Sequence, residues 1–74
     1  MDTALADADP GESIEMRDVP DDDTRARLLR LGFLDGPVEC RRQLTNGPVI
    51  LRRNGTELAL GSALADEITI DRHA

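Results

Sequence analysis

Seventy-four residues with a formal net charge of −6, fifteen acidic against nine basic, and Phe33 as the only aromatic suit one domain near the lower limit for folding unaided. The acidic balance excludes bulk electrostatic attraction to nucleic acid or an anionic membrane, and no apolar run approaches the ~20 residues needed to span a bilayer. A lone cysteine, Cys40, cannot form an internal disulfide and matches a reducing compartment; with no basic, apolar secretory pattern at the N-terminus, the expectation is a cytoplasmic chain that is not membrane-inserted.

Met1 to Asp9 is rich in Asp and Ala, with Leu5 as its anchor and its first residues mobile. Pro10-Gly11 predicts a turn. From Glu12 to Val19, Ile14 and Met16 alternate with Ser13, Glu15 and Arg17, which predicts a half-buried strand. Pro20 and Asp21-Asp22-Asp23 end it and open a helix over about Thr24 to Leu31. Asp22 or Asp23 is placed to accept hydrogen bonds from the first free helix amides. In this helix Leu28 and Leu31 share the inner face, Leu29 widens it, and Arg27 and Arg30 face solvent.

Gly32 follows the last leucine, where a chain commonly needs positive φ, and Gly36-Pro37 marks a further change of direction. These two glycines are read as a structural corner. A strand is expected over Val38 to Leu44, with Val38, Cys40 and Leu44 inward and Arg42 breaking the apolar set. Thr45-Asn46-Gly47-Pro48 is a turn cluster before a strand over Val49 to Arg53. Asn54-Gly55 is the strongest hairpin signal, because a type I′ turn requires positive φ at both positions. Thr56 to Leu60 returns with Leu58 and Leu60 inward. One helical turn over Gly61 to Ala65 seats Leu64, and Ile68 and Ile70 belong to a closing strand.

The sum is a mainly β fold, with residues 1–74 as one domain whose first few and last two or three residues are mobile. It contains about five short antiparallel strands, one short helix and a helical turn, bent to remove exposed edges. The order Leu5, Pro10-Gly11-Glu12, Ile14 to Val19, Arg27-Leu28-Leu29-Arg30-Leu31-Gly32-Phe33 and Gly36 resembles the FeoA family of small SH3-like barrels. So do Gly47-Pro48-Val49, Leu58-Ala59-Leu60, Ala65 and Ile68-Thr69-Ile70. The resemblance spans about Leu5 to Asp71 and departs at Gly61, where many members carry a basic residue. It implies a non-enzymatic cytosolic accessory of FeoB, the membrane ferrous-iron transporter with a GTP-binding domain. A related module at the C-terminus of iron-dependent repressors gives the alternative, a metal-responsive regulatory domain.

Chemistry-bearing residues are sparse. His73 and Cys40 are the only residues of their types and suggest no nucleophile and base pair, so no enzyme and no cofactor are expected. Asp18 to Asp23 could be offered as a cation site, but adjacent carboxylates diverge and capping is the simpler role; no metal ligand is assigned. Arg41-Arg42 and Arg52-Arg53 lie on neighbouring strands, where they either pair with Glu39 and Glu57 or meet an acidic partner. Without an aromatic platform they do not indicate nucleic acid. Leu29, Phe33 and Leu34 exceed what a small barrel can bury, so they either cover its mouth or form a docking patch. The partner-binding residues named from the sequence are therefore Leu29, Phe33, Leu34, Arg41 and Arg52. A FeoB-type transporter is the expected partner, and weak self-association is left open.

Overall fold

A computed structural model describes residues 3–43 and 47–73, without the side chains of Gln43 and His73. Expectations for Leu44 and for Thr45-Asn46 lie outside the described residues. The order of elements is β1 (Thr3–Ala4), a 3-10 turn (Leu5–Asp7), β2 (Ser13–Asp18), α1 (Asp22–Arg30), β3 (Val38–Gln43), β4 (Val49–Arg53), β5 (Thr56–Leu60), α2 (Ser62–Glu67) and β6 (Thr69–His73).

Six strands form one antiparallel sheet in the order β1-β6-β2-β3-β4-β5. The strand beyond the five expected is β1, which pairs Thr3 with Ile70 and Ala4 with Thr69. No pairing joins β5 to β1 among the described residues, so the sheet curls without closing into a barrel. A two-residue β1 offers β5 too little edge to pair along.

Alternation places Ile14, Val38, Cys40, Val49, Leu51, Leu58, Leu60 and Ile70 inside, with Leu5, Ala8, Val19, Leu28, Phe33, Ala65 and Ile68 completing one cluster. Because every strand from β2 to β6 supplies residues to this cluster or packs on it, the sheet is concave around its core. Its hairpin signal is realised in Asn54 at φ 52° and Gly55 at φ 82°. Pro10-Gly11 turns as expected, with Gly11 at φ 90° and the Glu12 amide donating to the Asp9 carbonyl at 3.1 Å, the form that a glycine at the third position favours. α2 is a six-residue helix instead of a single turn, and it buries Ala65 while Leu64 stays half-exposed. The small Ala65 allows α2 to sit close to the core where a leucine would hold it away.

Two surface ties fasten the seam where the first and last parts of the chain meet. Arg72 pairs with Glu12 at 3.2 Å and donates to the Asp7 carbonyl at 2.5 Å. Arg17 pairs with Asp71 at 2.9 Å across β2 and β6. The Arg17–Asp71 pair is exposed on both sides, which limits it to about 0–1 kcal/mol, whereas Glu12 in the other pair is half-buried.

Candidate functional site

α1 starts at Asp22, two residues earlier than expected, because Asp21, not Asp22 or Asp23, is the cap. Its extended backbone leads into the helix, and Oδ2 accepts from the Thr24 amide at 3.0 Å and the Thr24 hydroxyl at 2.6 Å. Those two bonds favour the charged carboxylate and hold its pKa below the ordinary value of 3.8. Thr24 and Leu28, one turn apart, form the buried stripe.

The helix ends in a Schellman motif. Gly32 takes φ 79°, its amide donates to the Leu29 carbonyl at 3.1 Å, and the Phe33 amide donates to the Leu28 carbonyl at 3.0 Å. Such a motif commonly brings the residue after the glycine toward the one five positions earlier; here Phe33 and Leu28 are both fully buried in the same cluster. Phe33 is therefore a core residue and not a docking contact, a correction to the sequence reading. Leu34 is half-buried and packs on the core, so it too falls short of a free docking group. The helix inner face is also narrower than expected: Leu31 is 40% exposed and Leu29 58%. Leu31 lies at the cap, where the chain is already turning away from the helix axis.

Gly36 has no positive φ. Its role is close approach: a Cβ there would stand 3.0 Å from Nη1 and Nη2 of Arg53. Arg53 Nη1 donates to the Pro37 carbonyl at 2.6 Å, tying the β4–β5 hairpin to the corner that carries the exposed leucines.

Arg41, Arg42 and Arg52, by contrast, lie on the outer face of the sheet. Between Cys40 and Arg42 the β3–β4 register slips by one residue, so Cys40 faces Leu51 while Arg42 faces Ile50. The extra residue, Arg41, is part of a β-bulge, and this resolves the broken alternation seen in the sequence. Arg41 pairs with Glu39 at 3.4 Å and Glu57 at 3.9 Å. Arg52 lies between Glu39 and Glu57 in the strand register, without an ion pair among the described residues. Arg41, Arg42, Ile50 and Glu57 line a shallow open depression, which sequence reasoning missed because only the bulge puts both arginines on Ile50's side.

Catalytic groups are not assembled in this surface. Cys40 is fully buried; burial first, then the negative charge of Glu12, pushes its thiol pKa up. Among the described residues no three His, Cys, Asp or Glu side chains are grouped to hold a metal ion. No helix among them is long and apolar enough to cross a membrane.

Comparison with known proteins agrees with this architecture. The crystal structure of an iron uptake regulatory protein, FeoA, superposes with a TM-score of 0.78 at 22% identity, covering 99% of each chain. The NMR structure of a FeoA-like protein from Clostridium acetobutylicum gives 0.67 at 19% identity, covering 99% of this chain and 88% of the other. At these identities the two structures establish the shared fold. No curated protein sequence matches. The FeoA domain family model matches residues 3–72, nearly the whole chain, and the protein accordingly belongs to the FeoA family of non-enzymatic accessory proteins associated with ferrous iron uptake.

Proposed function

We propose that this chain is a cytoplasmic accessory that binds and modulates the cytoplasmic part of a FeoB-type ferrous iron transporter. The observation that carries the reading is the pair Leu29 and Leu31, the two exposed large apolar side chains among the described residues. They stand on either side of a helix end fixed by two backbone hydrogen bonds. An apolar contact presented on a rigid support loses little conformational freedom on binding. Phe33 and Leu34 support the corner from beneath, while Arg41 and Arg52 on the outer sheet face offer charge to an acidic surface.

Co-purification with the cognate transporter tests the proposal. The expected result is capture by the native chain and loss of capture by a Leu29→Ser/Leu31→Ser variant of unchanged circular dichroism. A folded native chain that captures no transporter in either nucleotide state overturns the direct-partner reading. Retained capture by the double variant removes the two leucines from the contact.

A further inference from the structure

We propose that the outer face of β3 and β4 is a docking site for an acidic segment of another protein chain, with Arg41 and Arg42 receiving a carboxylate and Ile50 seating an adjacent apolar side chain. Two successive residues of a regular strand point to opposite faces. The bulge at Arg41 suspends that rule, and both arginines line one depression of about 340 Å³ with Ile50. Ile50 is half-buried and offers apolar surface between charged groups. Arg52, two residues along β4 and therefore on the same face, extends the positive charge.

Among the described residues Arg41 is held by exposed contacts to Glu39 and Glu57, at 3.4 and 3.9 Å, and contacts of that kind are weak and easily exchanged. Arg42 has no ion pair among the described residues; its cross-strand neighbour is Ile50, not a carboxylate. Glu57 lines one wall and Glu39 flanks Arg52, so the face accommodates one incoming carboxylate, not a dense anionic cluster. A guanidinium presents its donors in a planar fork matched to such a group. The chain as a whole carries a net charge of −6, so an acidic segment is drawn only to its local basic patches, and at this face Arg41, Arg42 and Arg52 outnumber Glu39 and Glu57. A nucleic-acid strand is disfavoured because Phe33, the only aromatic, is buried and no base can stack on it.

The proposal rests on reading the chain as a protein-interaction module but not on the transporter's identity. Its test uses the isolated ¹⁵N-labelled chain and a synthetic peptide of about eight residues, the reach of one strand, alternating Asp with Leu. The expected result is amide shifts centred on Arg41, Arg42, Ile50 and Arg52 that weaken as salt rises. Arg42→Ala should lower affinity roughly fivefold or more with an unchanged melting temperature. Equal binding of the peptide with Asn in place of Asp overturns it, as does no shift, a shift centred elsewhere, or an undiminished affinity in Arg42→Ala. Matching shifts from inorganic phosphate at the same concentration would reduce the face to a general anion site. Shifts that grow with protein concentration alone would identify a second copy of this chain as the occupant. Because Arg41 and Arg52 also figure in the transporter reading, the two are told apart by pairing the assays: no peptide shifts with transporter capture retained overturns this proposal alone, and peptide shifts without capture overturn the transporter reading alone.

Discussion

Truncating Phe33 and Leu29 in parallel tests the assignment of inside and outside at the helix corner. Phe33 is fully buried and Leu29 is 58% exposed, although the sequence treats them alike. An aromatic ring buries about 150–250 Å², which at ~25 cal/mol per Å² corresponds to about 4–6 kcal/mol. Phe→Ala changes in packed cores cost about 3–5 kcal/mol, so a loss of about 4 kcal/mol is expected. A chain of 74 residues has a total stability of roughly 4–11 kcal/mol, which leaves Phe33→Ala marginally folded or unfolded. Phe33→Leu, expected to cost about 1–2 kcal/mol, keeps the comparison measurable. Leu29→Ala should stay within about 0.5 kcal/mol of the native chain. With neither Trp nor Tyr in the sequence, urea unfolding is best followed by far-ultraviolet circular dichroism. A loss below about 1 kcal/mol for Phe33→Ala, or equal losses for Phe33→Ala and Leu29→Ala, would refute the burial on which the docking surface depends.

The two corner glycines should respond differently. Gly32→Val forces a β-branched residue into φ 79° and should cost about 1–3 kcal/mol, a fall of roughly 5–15 °C in melting temperature, whereas Gly36→Ala meets only the end of the Arg53 side chain and should cost less. Cys40 should resist thiol reagents in the folded chain and react at the rate of opening. Because folding raises its pKa above the ordinary 9.0, its contribution is complete below that value and is lost as pH rises through the higher folded pKa; Cys40→Ala should remove that part of the alkaline slope in thermal melts. Asp21→Ala should lower the melting temperature at neutral pH. The folded carboxyl has a pKa below 3.8, so the deficit is complete above that value and disappears as pH falls through the depressed one; a deficit unchanged in acid would refute the charged cap.

What the sequence made legible was whatever repeats with the period of a backbone. Alternation in β2 and β5, the Asn54-Gly55 turn and the positive φ of Gly32 depend on neighbours only a few residues away, and all are found as expected. Three consecutive aspartates did not distinguish the cap, because each carries the same acceptor and only the extended backbone at Asp21 selects it. β1 spans two residues, too few to show any period. Phe33 was misassigned by counting apolar side chains against available volume, although its place after Gly32, five residues beyond Leu28, is itself a signal for inward packing at a Schellman end. The outer face was the least legible part. Whether Arg41 meets Glu57, or Arg42 meets Ile50, depends on a one-residue register slip between strands, and local pattern carries no record of it.

The position of β6 has a consequence in time. It follows the other five strands in the chain, yet it lies between β1 and β2, pairing Ile70 with both Thr3 and Met16. The β3-β4-β5 meander is contiguous in the chain and can assemble through short loop closures, and β2 can join it through β3, whereas β1 and the other edge of β2 must wait for a partner more than fifty residues away. Folding dominated by such distant pairing is slow, and unpaired edges are prone to associate meanwhile. On the ribosome, β1 and β2 therefore remain without their shared neighbour until β6 emerges, and loss of β6 removes an interior strand of the sheet.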